Sequence, residues 1–320
     1  MEIAALRPTL KETIWGGRKL IDEYGFVTDK DNAAEAWLLS CHKDGPSFVI
    51  GGEYDGKTLA EVIEKEGRGV LGTNNADIPD FPVLIKIIDA CDKLSVQVHP
   101  GDEYARRVEN ENGKTEAWYI LAAQPGAQLV YGVNKEMTRG EFSEKIKAGE
   151  LEEALNFVNV KAGDVVFIPS GMLHAIGAGI LLAEVQQSSN TTYRVFDYNR
   201  RDKNGKLREL HVEKATDVVE LTRPEGNFAP AGEKVKYANA SKTYLTGCRY
   251  FSMTLLETDG VYKDSADEKS FVSLLVLDGE GTLKGKDRSF ELKKGSSLFI
   301  PASYGEYELS GSMKILETRT

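Results

Sequence analysis

The chain has 320 residues, 41% of them hydrophobic and 28% charged, with a formal net charge of −10. That balance suits a soluble globular protein with room for two domains and a substantial core. It argues against generic binding to nucleic acid or to an anionic membrane, and leaves room for a local basic pocket that takes a small phosphorylated molecule.

The N-terminal MEIAALRPTLKETIWGG has no uninterrupted apolar run of the signal-peptide kind, and no segment approaches the ~20 apolar residues of a membrane span. Cys41, Cys91 and Cys248 are far apart and form no CxxC pair, so they read as reduced thiols. The expectation is a cytoplasmic protein. In chain order, TLAEVIEKEG (58–67) has helical periodicity, and FPVLIKII and KLSVQVH follow as strands. DEYARRVEN (102–110) predicts a short helix, and EAWYILAA and AQLVYGV two further strands. TRGEFSEKIKAGELEEALNFV (138–158) predicts the longest helix, opened by a Thr138–Glu141 capping box. GDVVFIP and GILLAEVQQ are strands, and HVEKATDVVEL (211–221) is the last helix. TRPEGNFAPAGEK (222–234), rich in Pro and Gly and without period, reads as a linker. Beyond it YFSMTLLE, SFVSLLVLDG, GTLKG, SLFIP and MKILET are again strand-like. Many short strands with turn signals between them predict a β-sandwich or barrel decorated by a few helices.

An internal repeat supports a duplicated β unit. KAGDVVFIPSG (161–171) and KKGSSLFIPAS (293–303) share Lys, Gly, Phe, Ile and Pro in register. The first copy runs on to His174; the second runs on to Tyr304, Gly305 and Glu306, with no histidine.

The chemistry concentrates in LSVQVHPGDE (94–103). Leu94, Val96 and Val98 alternate with Ser95, Gln97 and His99, a period of two that marks a strand with one apolar face. A polar face of Ser, Gln and His is more often a solvated edge, unless other ligands join it. GKTEAWYIL (113–121) places Lys114 and Glu116 on one face of the next strand. In GDVVFIPSGMLH, Gly163 and Pro169 bound a strand and Gly171 permits the tight turn that aims His174 at the same cavity as His99. Two imidazoles, a carboxylate and an amide oxygen suit Zn²⁺ with an open position, and do not by spacing exclude Mn²⁺, Fe²⁺ or Co²⁺. His42 and His211 have no such partners in sequence. Lys86, flanked by Ile85 and Ile87, needs an anionic partner if buried.

The Gly163–Pro169–Gly171–His174 pattern resembles the second signature of the cupin superfamily. The first signature departs from the usual form: Gln97 stands where a histidine is common, and sixteen residues separate His99 from Glu116. With that departure, QVHP, GKTE, IPSGMLHAIG and EVQQSSNTTYRVFDYNR are similar to the type I mannose-6-phosphate isomerases in their short bacterial form. ETIWGG (12–17) and FPVLIKIIDA (81–90) fit as well, so the likeness covers most of residues 1–222. The resemblance implies a mainly β chain of two cupin-type jelly-roll barrels with a few inserted helices. Residues 1–222 would be the catalytic metal-binding barrel with a helical insert near 138–158, residues 223–234 a linker, and residues 235–320 a degenerate barrel without ligands. It implies one Zn²⁺ per chain held by Gln97, His99, Glu116 and His174, with Arg194 as the catalytic arginine. Ser95, Lys86 and Lys114 would lie along the substrate phosphate.

The reaction so implied interconverts mannose 6-phosphate and fructose 6-phosphate through a metal-stabilised enediol. Arg194 is a poor base because its pKa lies above ~12. Glu184 and Lys114 are alternative proton carriers, between which the sequence does not choose. A metal-dependent cupin dioxygenase and a non-enzymatic sugar-binding or regulatory cupin are the rival readings. The partner is a small phosphorylated sugar, not nucleic acid or membrane, and monomer and dimer both stay open.

Overall fold

Strand Val83–Ala90 is buried along all eight residues, although Lys86 and Asp89 interrupt its apolar run. Burial on both faces follows from its place inside a stack of sheets, in a computed structural model that describes residues 1–201 and 205–320. Its sheet has six strands in the order Val165–Ile168, Glu116–Ala123, Ile180–Gln187, Val83–Ala90, Glu35–Leu39, Thr9–Lys11, with all pairings antiparallel. A five-stranded sheet runs Tyr193–Phe196, Val96–Val98, His174–Ile176, Gln128–Val133, Leu155–Asn159. A ten-stranded sheet holds the C-terminal strands from Lys234–Lys236 to Gly305–Arg319, and Ala4–Arg7 and Phe48–Ile50 from the N-terminus join it. Ala4–Arg7 pairs with Ser297–Ile300, so the two ends of the chain share one sheet.

The chain is mainly β, as its alternation predicts, and its sheets are open rather than closed. Period-two alternation sorts side chains between layers. In the six-stranded sheet Ile85, Ile87, Ala117, Ala183 and Val185 pack toward Leu275, Phe299 and Leu316 of the C-terminal sheet. The opposite parity, Ile88, Trp118, Ile120 and Leu182, packs against Leu129, Tyr131 and Ile176 of the five-stranded sheet. On the far side of that sheet Val96, Val98, Ala175 and Val195 meet Phe142, Ile146 and Ala215 of two helices.

Those helices are Arg139–Ala148 and Val212–Val218; Leu59–Glu66 and Asp102–Glu109 complete the expected set, and Lys19–Asp22 adds a short turn. Thr138 and Glu141 form the capping box. The helix predicted over 138–158 stops at Ala148, because Gly149 takes φ 74 and caps it. Beyond it lie a 3₁₀ turn, Leu151–Ala154, and strand Leu155–Asn159. Within 222–234, Phe228 packs edge-on to Tyr131 of the five-stranded sheet, and the Ala231 and Gly232 N–H groups donate to the Leu245 and Tyr244 carbonyls of the C-terminal sheet. Gly163 and Gly295 hold the same left-handed φ, 91 and 87, at matching places in the two repeat copies. Among the described residues no helix is long and apolar enough to cross a membrane.

Candidate active site

The layer between the six- and five-stranded sheets answers why the strand Val96–Val98 has a polar face. Val96 and Val98 point to the helices, so Gln97 must point between the sheets. His174 pairs directly with Gln97, and Arg194 pairs with Gln97 from the other side. From the facing sheet, Glu116 shares the parity of Trp118 and Ile120, and Glu184 pairs with both Lys86 and Trp118. Register alone therefore brings Gln97, His174, Arg194, Glu116, Glu184 and Lys86 to one cavity.

His99, Glu116 and His174 are buried, and their ligand atoms lie within 4.8 Å of one another. This is the one such group found among the described residues. The Gly171 turn delivers His174: Gly171 has φ 88, and its N–H donates to the His99 carbonyl at 2.8 Å. A Cβ there would press on Glu220 at 3.0 Å. His174 Nδ1 lies 2.8 Å from the Met172 carbonyl. A carbonyl can only accept, so Nδ1 donates to it and Nε2 is the ring nitrogen that faces the cavity. Nε2 is 3.2 Å from Glu116 Oε1 and 3.3 Å from the Gln97 side-chain amide. Lys114 Nζ lies 3.1 Å from His99 Nε2 and 3.1 Å from Glu116 Oε2. Burial and then the Lys114 ammonium hold His99 well below its usual range, so it is neutral. Burial opposes ionisation of Glu116, yet the Lys114 ammonium beside it holds its carboxyl well below the usual range.

The fit to a divalent cation is good. Both Glu116 oxygens are buried, and Oε2 meets the Lys114 ammonium at 3.1 Å. Two imidazoles and a carboxylate converge on one point, and a half-turn of the Gln97 amide presents Oε1 there. His174 also has the outer support expected of a ligand, through Nδ1 to a backbone carbonyl.

The rest of the wall sets cations and hydroxyls beside two carboxylates, Glu35 and Glu184, and apolar side chains. The cavity encloses about 300 Å³. Arg194 Nε donates to Ser95 Oγ at 3.2 Å and its NH1 donates to the Glu209 carbonyl at 3.1 Å. Arg194 has no carboxylate partner among the described residues; burial and then Arg208 lower its pKa. Lys86 is placed differently. Its ammonium lies 3.0 Å from Glu184 Oε2, 3.4 Å from Glu35 Oε2 and over the Trp37 ring. Burial works against its charge, yet Glu184 and Glu35 raise its pKa. Glu184 also accepts from Trp118 Nε1 at 2.9 Å.

Sequence reasoning missed Glu35, Trp37 and Arg208. Glu35 and Trp37 were findable as the anionic and aromatic company a buried lysine requires; Arg208 carries no local signal.

The C-terminal residues 240–319 match the family described as mannose-6-phosphate isomerase, cupin domain, and residues 3–124 match phosphomannose isomerase type I, catalytic domain. A mannose-6-phosphate isomerase of Bacillus subtilis is 41% identical over 306 residues, 95% of each chain. The chain belongs to the type I mannose-6-phosphate isomerase family. A mannose-6-phosphate isomerase of Streptococcus mutans is 36% identical over 315 residues, covering 98% of this chain and 97% of that one. The crystal structure of a Bacillus subtilis mannose 6-phosphate isomerase superposes with a TM-score of 0.91 at 34% identity, covering 99% of both chains.

Proposed function

We infer that this chain interconverts mannose 6-phosphate and fructose 6-phosphate. The observation that carries the reading is the buried group His99, Glu116 and His174, with half-buried Gln97 beside it, in a chain of this family. A dioxygenase or a non-enzymatic sugar binder is not favoured by relatives at this coverage.

The donor set holds one divalent cation, proposed to be zinc. When bound, it supplies Lewis acidity to the substrate carbonyl and the neighbouring hydroxyl. The side chains do the rest. Lys114, beside the ligands, is placed to move the proton between the two carbons. Glu184 is the alternative carrier, but its oxygens are engaged by Trp118 and Lys86. Arg194 brings uncompensated positive charge to the negative charge that develops on the substrate oxygen. Ser95, Lys86 and Lys114 are proposed to face the phosphorylated substrate, unequally. Lys86 is already balanced by two carboxylates, so the Ser95 hydroxyl is the better place for a phosphate.

Residues 1–222 are proposed as the catalytic barrel, 223–234 as the linker and 235–320 as a second jelly-roll without ligands. In the second repeat copy Glu306 stands where the first has His174, and it is exposed. We place the enzyme in the cytoplasm. The direct test is purified protein with mannose 6-phosphate and a coupled readout of fructose 6-phosphate. Absence of product in the metal-loaded protein would overturn the reading.

A further inference from the structure

The loop that carries Lys114 is held by a carboxylate outside the cavity. Asp102, at the start of helix Asp102–Glu109, accepts four hydrogen bonds. Its Oδ1 takes the Gly113 N–H at 2.9 Å and Gln187 Nε2 at 3.0 Å. Its Oδ2 takes the Tyr250 hydroxyl at 2.7 Å and Arg249 NH2 at 2.9 Å. Gln187 passes the grip on, accepting the Thr115 N–H at 2.9 Å. Gly113 and Thr115 flank Lys114 on both sides. The approach is close enough that a Cβ at Gly113 would lie 2.5 Å from the Asp102 nitrogen. Tyr250 and Arg249 sit on the turn between strands Ala240–Gly247 and Ser252–Asp259 of the C-terminal sheet.

We propose that Asp102 is a positioning residue for the isomerase reaction. It fixes the Gly113–Glu116 segment so that the Lys114 ammonium stays on the His99–Glu116 pair, and the C-terminal sheet contributes to catalysis by gripping that carboxylate through Tyr250 and Arg249. Two carboxylate oxygens meet four donors, two from the catalytic layer and two from the C-terminal sheet. Nothing else in this arrangement touches the substrate cavity, so the effect runs through the backbone on either side of Lys114. The inference rests on the catalytic reading of Lys114.

The test uses metal-loaded Asp102→Asn, Tyr250→Phe, their double variant and Lys114→Met. It measures kcat and KM for mannose 6-phosphate, bound metal and Tm. Because small misplacements of a reacting group cost up to ~100-fold, Asp102→Asn is expected to lose about tenfold in kcat and Tyr250→Phe about threefold. KM should stay within about twofold, metal content should be full, and the double variant should be no slower than Asp102→Asn alone, as for groups acting in one chain. A merely structural role would lower Tm or bound metal and leave kcat per metal intact; that result, or losses that multiply in the double variant, overturns the inference. If Asp102→Asn does not fold, Tyr250→Phe alone decides between these outcomes. Slow Lys114→Met with full-speed Asp102 and Tyr250 variants overturns the inference while sparing the reading of Lys114. Normal turnover by Lys114→Met overturns both.

Discussion

His174 Nε2 stands 3.2 Å from Glu116 Oε1 while its Nδ1 is committed to the Met172 carbonyl at 2.8 Å. That commitment turns Nε2 into the cavity and sets it beside the carboxylate as two corners of a cation site. His174→Ala should therefore lose bound metal and activity together. Outer partners of ligands already cost 10–100-fold in metal affinity, so loss of a ligand should exceed about 100-fold. Elemental analysis beside the activity assay checks this. Retention of both would show that His174 is not a ligand.

The Lys86 ammonium, between Glu184 and Glu35, makes its removal a stability event first. Lys86→Met leaves buried Glu184 and half-buried Glu35 without their cation, and breaking a buried pair typically costs about 3–5 kcal/mol. Thermal unfolding should show a large drop in Tm, and Lys86→Met with Glu35→Gln should recover part of it. An unchanged Tm in Lys86→Met would contradict the ion-pair geometry.

Arg194 and Ser95 are bonded to each other yet are assigned to different ends of the substrate. Arg194→Lys should keep its metal and turn over both mannose and mannose 6-phosphate poorly, because its proposed role is at the reacting carbons. Ser95→Ala should raise KM for mannose 6-phosphate about tenfold, the loss of one hydrogen bond to a charged group. Turnover of free mannose should be untouched. Equal losses on the two sugars in Ser95→Ala would remove the phosphate from that end.

Acid should weaken the fold through Glu35. Burial opposes its ionisation, but Lys86 and Trp37 hold it below the usual carboxylate range. A carboxylate depressed in the folded state stabilises above its unfolded value, about 4.3, and loses that contribution as pH falls through the lower folded value. Tm of the wild type should fall as pH drops below about 4.3, and in Glu35→Gln that part of the fall should be shallower. Identical slopes in the two proteins would show that Glu35 contributes nothing there.

Much of the site was legible because β-strands alternate. Gln97 and Glu116 could be placed on inward faces from their neighbours alone, and Gly171 announced the turn that delivers His174. What the sequence hid is long-range. Nothing local tells that Ala4–Arg7 pairs with Ser297–Ile300, or that Glu35 reaches Lys86 across the sheet. The helix over 138–158 was read too long because the 3.6-residue pattern continues past Gly149, whose backbone conformation ends it. Asp102 reads as an ordinary acidic residue opening a helix until Tyr250, 148 residues away, is seen to bind it.

The central claim is one metal per chain, in the Gln97, His99, Glu116 and His174 set, required for isomerisation of mannose 6-phosphate. It is tested most directly by counting metal per chain while following turnover through removal by a chelator and stepwise return of Zn²⁺. The account predicts that activity vanishes with the metal and returns in proportion to occupancy, reaching its plateau at one ion per chain. Full activity in metal-free protein, or a plateau at two ions per chain, would contradict it.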